Sequence, residues 1–171
     1  LAHRRQRQMC IRDRDRTRFK GSAHVEFCRG LKNPIGIKCG PKTNIDDLKS
    51  IISVLNPNNA SGKITLIARY GYGNVGKYLP NMISNIDMEG FNVIWSCDPM
   101  HGNTRISNNN YKTRTFESIV GELKEHISIH ESKGTTLGGV HLEMTGQDVT
   151  ECIGGVDTVS YTHLRAHETV H

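Results

Sequence analysis

The sequence predicts an α/β fold built from parallel β–α units, and three observations support this prediction. Four short runs rich in apolar and β-branched residues indicate buried strands. Three stretches in which apolar residues recur at helical spacing lie between these runs. The two kinds of segment alternate with a period of roughly 30 residues, which is typical of parallel strands joined by helices.

The predicted elements follow one another in a regular order. Strands are predicted at residues 34–40, 63–71, 92–99 and 138–146, and helices at 43–56, 74–90 and 114–134. The first helix begins at Thr43 or Asn44, either of which is a suitable N-cap, while Gly90 and Gly134 are natural ends for the other two. The polar and glycine-rich residues between these segments predict connecting loops.

Each predicted helix carries one apolar stripe, which predicts the face that packs on the sheet. The stripes are Ile45, Leu48, Ile51, Ile52 and Leu55 in the first helix, Val75, Leu79, Met82, Ile83 and Ile86 in the second, and Phe116, Ile119, Val120, Leu123 and Ile127 in the third.

Two architectures use this alternation, namely an open doubly wound sheet and an eight-stranded barrel. Charged or metal-binding residues fall at the carboxyl end of every predicted strand: Lys38, Arg69, Asp98 with His101, and Glu143. A barrel gathers such ends around one mouth, so the pattern favours the barrel. The segment "GYGNVGK" at 71–77 lacks the Ser or Thr of a phosphate-binding loop and is interpreted as an ordinary loop.

Composition narrows the class of protein. The 171 residues are 36% hydrophobic and contain no apolar run long enough to cross a bilayer, which indicates one soluble unit. The formal net charge of +5 comes from residues 1–20, where seven Arg and one Lys face two Asp, so the other 151 residues carry −1. A nucleic-acid function would therefore rest on this basic head alone. The five Cys include no C-x-x-C pair, which predicts neither a disulfide framework nor a zinc knuckle and favours a reducing compartment.

Residues 1–14 and 159–171 lack the periodicity of the chain between them. Both ends resemble peptides that arise when sequencing-adapter DNA is translated at the ends of assembled reads. We therefore predict that they are artefacts and that the domain covers 15–158. This interpretation sets aside the histidines His163, His167 and His171, whose i, i+4, i+8 spacing would otherwise suggest metal ligands.

Single residues support weaker conclusions. Lys38 lies inside an otherwise apolar strand, where a buried ammonium group needs an anionic partner. Taken alone, His101 is interpreted as a loop histidine and Glu143 as a solvated carboxylate at a strand end. His24 and His141 are assigned structural roles.

Five longer segments alter these interpretations of single residues. They are "GSAHVEFCRGLKNPIGIK", "LNPNNASGKITLIARYG", "WSCDPMHGNT", "YKTRTF" and "GGVHLEMTGQDVTEC". Together they resemble the class II, or plant-type, 3-deoxy-D-arabino-heptulosonate 7-phosphate synthases over 15–158. The resemblance implies a (β/α) barrel with extra elements, about three times longer than the body at 15–158. The chain is then a partial (β/α)8 barrel, with about four parallel strands and three intervening helices.

The resemblance also implies a function. Members of this family are transferases that condense phosphoenolpyruvate with D-erythrose 4-phosphate, the first step of the shikimate pathway towards chorismate and the aromatic amino acids. Two small-molecule substrates are thus expected, with no nucleic acid or membrane partner, a homo-oligomeric full-length protein, and a location in the cytoplasm or a plastid. An alternative from another class is a non-catalytic half-barrel that binds anions.

Site residues carry over from the resemblance by their positions in the quoted motifs. His101 and Glu143 are implied metal ligands, with a Cys and an Asp outside this chain, and the implied metal is manganese, with cobalt or cadmium as alternatives. Lys38, Asp98 and His101 are the implied catalytic group, in which Asp98 supports His101 or handles protons. The implied substrate-binding residues are Asp15, where the family usually has Glu, and Arg16, Lys38, Arg69, Lys112 and Arg114.

Overall fold

The structure is a computed structural model that describes residues 10–11, 21–106, 112–143 and 152–154. Its strands are β1 (Cys10–Ile11), β2 (Ile35–Cys39), β3 (Ile64–Ala68), β4 (Val93–Cys97), β5 (Arg105–Ile106), β6 (Lys112–Thr115), β7 (Leu137–Val140) and β8 (Cys152–Ile153). Its helices are α1 (Ala23–Arg29), α2 (Ile45–Leu55), α3 (Val75–Met88) and α4 (Phe116–Ser132).

The main sheet is parallel throughout and has the strand order β1–β2–β3–β4–β7. A small second sheet joins β5, β6 and β8. Each neighbouring pair among β2, β3, β4 and β7 is linked by one connection that contains a helix. This is the predicted alternation of parallel strands and helices, and the fold class is confirmed as part of a (β/α) barrel.

The helices form one layer on one face of this sheet. Side chains alternate between the two faces of a strand, and Ile35, Ile37 and Cys39 of β2 belong to the hydrophobic core that also contains the buried faces of α2 and α3. Consecutive helices also contact one another along this layer. Lys38 lies on the opposite face, the side that a barrel encloses.

The predicted stripes of the first two helices are confirmed. Leu48, Ile51, Ile52 and Leu55 of α2 are buried, as are all five stripe residues of α3. The N-cap of α2 is Asn44, whose side chain accepts hydrogen bonds from the backbone N–H groups of Asp46 and Asp47.

The predicted stripe of the third helix is wrong. The buried residues of α4 are Ser118, Glu122, His126 and His130, whereas Phe116 and Ile127 are exposed. The buried set recurs every four residues and is therefore a helical stripe of its own. In this stripe Glu122 accepts hydrogen bonds from backbone N–H groups, while His126 and His130 pack against the rings of Tyr70 and Trp95.

Two boundaries that matter for site residues differ from the prediction. The last strand ends at Val140 rather than 146, so Glu143 lies in the loop that follows β7. Arg114 belongs to β6, and the helix begins at Phe116 behind the N-cap Thr115. Cys10 and Ile11, inside the predicted artefact at 1–14, pair with Gly36 and Ile37 as strand β1. Among the described residues, no helix combines the length and apolar character needed to span a bilayer.

Candidate active site

The segment after β4 forms a turn around the carboxylate of Asp98. One oxygen, Oδ1, accepts hydrogen bonds from the backbone N–H groups of Met100 and His101, both at 3.1 Å. An Asp that caps the residues just after it is a common way to begin a turn, and Pro99 restricts the backbone further. The turn brings the His101 ring back against Asp98, with Nδ1 at 2.8 Å and 2.9 Å from the two carboxylate oxygens.

Asp98 also joins two strands of the sheet. It is fully buried, and its Oδ2 lies 2.9 Å from Nζ of Lys38 on β2. Burial by itself would raise the pKa of Asp98, but hydrogen bonds and charges from His101 and Lys38 outweigh it and hold that pKa well below its ordinary value. The anionic partner expected for Lys38 is thus a carboxylate of the same chain.

His101 then contacts Glu143 beyond the end of β7. Nδ1 faces a carboxylate, which only accepts hydrogen bonds, so Nδ1 carries the proton and Nε2 presents a lone pair in the neutral ring. Nε2 lies 3.3 Å from Oε2 of Glu143. Two acceptors at this distance need a cation between them, which is either a proton on Nε2 or a metal ion. Metal bonds of about 2.1 Å separate adjacent ligand atoms by about 3.0–3.4 Å, so the pair fits a shared ion.

A cleft of about 330 Å³ lies beside His101. It is lined by Gly40, Pro41, Lys42, Arg69, Tyr70, His101 and Gly102. Arg69 directly follows β3, and its side chain runs past Gly40, where an added Cβ would lie 4.0 Å from Cγ and Nε. The cationic side chains of Lys42 and Arg69, both at this open cleft, suit a phosphate or carboxylate group.

The remaining predicted residues are less close to this cleft or lie outside the described residues. Arg114 donates from Nε to the carbonyl oxygen of Met100 at 2.6 Å, and its Nη2 lies 3.8 Å from Oε2 of Glu143. It therefore contacts one of the two implied metal ligands. The side chain of Lys112, and Asp15 and Arg16 entirely, lie outside the described part of the chain, so their substrate roles stay predictions.

Sequence reasoning missed three residues near the site. Lys42 lines the cleft, and Glu122 with Asn103 connects the loops that carry Arg69 and His101. Lys42 could have been found from its position shortly after a strand end. Glu122 could not, since an acidic residue in a helix is usually solvated.

A second group of potential metal ligands lies on the helix side of the sheet. The buried residues Cys97, Glu122 and His126 each offer a ligand atom within 4.8 Å of the others. Neither ring nitrogen of His126 has a hydrogen-bond partner within the described residues, and Nε2 lies 3.9 Å from Oε1 of Glu122. Burial, followed by the charge of His130, lowers the pKa of His126 from 6.5 to about 4.

This shift predicts a loss of stability in weak acid. The folded state binds fewer protons at His126 than the unfolded state when the pH lies between about 4 and 6.5. The free energy of unfolding should therefore fall by about 3 kcal/mol as the pH drops through this window. Burial also raises the pKa of Glu122, which acts in the opposite direction. The chain should for this reason be compared with His126→Phe by urea denaturation at several pH values.

In this comparison the free energy of unfolding of His126→Phe should depend less on pH than that of the unsubstituted chain. His24→Phe, on the exposed side of α1, is the control and should leave the dependence as it is. Equal pH dependence in the chain and in His126→Phe would show that burial of this ring does not set the acid sensitivity.

The fold and this site together define a barrel-type α/β protein with candidate metal-binding and anion-binding groups at its strand ends. A model of the Class-II DAHP synthetase family matches residues 12–170, and the chain belongs to this family. The match overlaps both predicted artefact ends, and the boundaries at 14 and 159 stay predictions.

Two curated relatives support this assignment. A phospho-2-dehydro-3-deoxyheptonate aldolase from Neurospora crassa is 48% identical over 143 residues, which are 82% of this chain and 30% of the relative. A phospho-2-dehydro-3-deoxyheptonate aldolase from Mycolicibacterium smegmatis is 44% identical over 150 residues, or 88% of this chain and 32% of the relative. The chain thus spans about a third of the length of these relatives.

Proposed function

We propose that this chain carries part of the active site of an enzyme that condenses phosphoenolpyruvate with D-erythrose 4-phosphate. The products are 3-deoxy-D-arabino-heptulosonate 7-phosphate and phosphate, and the reaction begins the shikimate pathway. The observation that carries the proposal is the continuous series of contacts from Lys38 through Asp98 and His101 to Glu143, beside a cationic cleft. The names of the two relatives agree with this chemistry.

His101 and Glu143 would hold a divalent metal, which we assign as manganese. When bound, this ion would polarise the aldehyde of the four-carbon sugar for attack by carbon 3 of the enolpyruvate. Asp98 keeps the proton of His101 on Nδ1, so that Nε2 faces the metal position as a lone pair. The ammonium group of Lys38 balances the charge of the buried Asp98 carboxylate, which would otherwise lie unpaired next to the site.

Arg69 and Lys42 would bind the phosphate and carboxylate groups of phosphoenolpyruvate. A guanidinium group can donate two parallel hydrogen bonds to such a group, and Lys42 adds a point charge. His101 lines the same cleft, so an anion bound there lies next to the proposed metal ligand. Binding in this cleft would therefore bring phosphoenolpyruvate and the polarised aldehyde together.

The alternative, a half-barrel that binds anions without catalysis, is favoured by one observation. Apolar residues are exposed along the β7 side of the sheet, among them Ile127, Val140 and Leu142. Among the described strands, β7 pairs only with β4. Within the described residues, this unpaired edge and the exposed apolar surface leave the barrel mouth incomplete.

We predict that the chain made alone does not catalyse the condensation. Only two of the four metal ligands implied by the family are found in it, and an incomplete set of ligands weakens both the position and the occupancy of the metal. The assay is phosphate release from phosphoenolpyruvate with erythrose 4-phosphate and Mn²⁺, with the Neurospora crassa relative measured in parallel. Comparable turnover by the chain alone would show that our assignment of the metal ligands is wrong.

A chimera tests the proposed function itself. Residues of this chain replace the matching 143-residue segment of the Neurospora crassa relative, at 48% identity. The chimera is expected to catalyse the condensation and to lose this activity on His101→Asn. A folded chimera that binds phosphoenolpyruvate but has no activity would favour the anion-binding half-barrel.

A further inference from the structure

Glu122 of α4 is a fully buried carboxylate, and both of its oxygens accept hydrogen bonds. Oε1 accepts from the backbone N–H groups of Tyr70 at 2.8 Å and Gly71 at 3.0 Å, and Oε2 accepts from Nδ2 of Asn103 at 2.7 Å. Three N–H donors around an acceptor-only group are the arrangement that allows a carboxylate to be buried. The contacts that Glu122 makes thus reach two different loops.

These loops carry the proposed site. Tyr70 and Gly71 belong to the Arg69 loop, residues 69–73, which directly follows β3. Asn103 belongs to the His101 loop, residues 99–103, which follows β4. One carboxylate therefore connects the backbone next to the proposed anion-binding Arg69 with the loop of the proposed metal ligand His101.

Asn103 extends this connection. Its Nδ2 also lies 2.8 Å from the carbonyl oxygen of Pro99 and 3.2 Å from that of Ser118, so one of its two N–H groups is shared between acceptors. Its Oδ1 accepts from the backbone N–H of Tyr72 at 2.9 Å. The amide therefore joins both loops to α4. Since both the nitrogen and the oxygen of the amide group have partners, rotation of this side chain would break several hydrogen bonds at once.

The two loops also touch directly at a pair of glycines. A Cβ on Gly71 would lie 2.8 Å from the carbonyl oxygen of Gly102, and a Cβ on Gly102 would meet the backbone of Gly71. Gly71 further adopts a φ of 86°, which favours glycine. Because no side chain lies between the two loops at these glycines, the distance between the loops depends on the hydrogen bonds that hold each of them.

We infer that Glu122 is a positioning residue that sets the distance between Arg69 and His101 by holding both loops against α4. This inference rests on the proposed function, which gives those two residues their roles. Three of the roughly four lone pairs of the Glu122 carboxylate accept hydrogen bonds from the two loops. The positions of the donors therefore support a role in holding the loops.

The test compares Glu122→Gln with His130→Gln in the full 171-residue chain. Glu122→Gln keeps the volume of the side chain and one acceptor oxygen, but the NH₂ group that it introduces would face the NH₂ group of Asn103. His130 lies on the same buried stripe of α4 and bonds Thr135, outside both loops. Amide hydrogen exchange measures how firmly the two loops are held. Titration with inorganic phosphate measures anion binding in the cleft of Arg69, and titration with Mn²⁺ measures metal binding at His101.

For Glu122→Gln we expect faster exchange in both loops and weaker binding of phosphate and of Mn²⁺, each by about 10- to 100-fold. For His130→Gln we expect a lower melting temperature with unchanged exchange in the loops and unchanged affinities. Unaltered loop exchange in Glu122→Gln would overturn the inference, as would looser loops with unchanged binding of both probes. If the unsubstituted chain, with two of the four implied metal ligands, binds neither probe, the same titrations are made in the chimera described above. A chimera that binds neither probe contradicts the proposed function, while loop exchange still decides whether Glu122 holds the loops.

Discussion

Replacing Asp98 with Asn is expected to destabilise the folded chain by about 3–5 kcal/mol at neutral pH. Asp98 is fully buried and contacts the ammonium group of Lys38 through Nζ and the ring N–H of His101 through Nδ1. The amide keeps the shape of the carboxylate but removes its charge and turns one acceptor into a donor. The donors of Lys38 and His101 would then face another donor inside the protein, and a buried donor without an acceptor is costly.

Urea denaturation of the chain and of Asp98→Asn measures this effect. The control is Glu89→Gln, which removes the partner of Lys49 from an ion pair at the same distance of 2.9 Å, with Glu89 49% exposed. The control should change the free energy of unfolding by less than about 1 kcal/mol, since solvent screens such pairs. Equal effects of the two substitutions would mean that burial adds nothing to the Asp98 contacts.

The pH dependence of the free energy of unfolding provides an independent check of the Asp98 prediction. The folded-state pKa of Asp98 is depressed, so its contribution to stability is present above the ordinary value of 3.8 and is lost as the pH falls below it. The unsubstituted chain should therefore lose stability below about pH 4, in addition to the effect of His126 at higher pH. Asp98→Asn should lack this additional loss.

Replacing His101 with Asn is expected to weaken Mn²⁺ binding by more than about 100-fold, since neighbours of metal ligands alone cost 10- to 100-fold. The substitution removes the nitrogen that lies 3.3 Å from Oε2 of Glu143, and the shorter Asn side chain cannot reach the same point. Glu143→Gln should have a comparable effect, because it removes the charged ligand. In the active chimera, either substitution should abolish turnover while phosphoenolpyruvate binding persists.

His24→Asn is the matched control, since it changes an exposed histidine on α1. Mn²⁺ binding can be followed by electron paramagnetic resonance of the free ion. Retained affinity in both His101→Asn and Glu143→Gln would place the metal elsewhere, and the buried group of Cys97, Glu122 and His126 would then be the next site to substitute.

The local sequence was sufficient to predict the buried faces of α2 and α3, because the spacing of apolar residues within each helix marks the face that packs on the sheet. The stripes of α2 and α3 are apolar, and apolar residues are buried wherever the helix meets the sheet. The strand positions followed from short β-branched runs, and the charged residues at their ends marked one edge of the sheet. In a parallel sheet all carboxyl ends meet at the same edge, so residues as distant as Lys38 and Glu143 could be predicted to lie near one site.

Only the tertiary structure decided which face of α4 is buried. Backbone N–H groups of Tyr70 and Gly71 donate to Glu122 on the buried face, and the ring of Trp95 packs against His130 there. These partners lie about 30 to 50 residues away in the chain, so no pattern within α4 contains them. The apolar stripe therefore pointed to the wrong face.

The partner of Lys38 was decided in the same way. The sequence by itself determined that an ammonium group inside an apolar strand needs an anion. It could not distinguish a bound substrate from a carboxylate of the same chain, because both satisfy the same charge. The register of β2, β3 and β4 places Asp98 on the Lys38 face of the sheet, two strands away, and so the fold supplies the anion from within the chain.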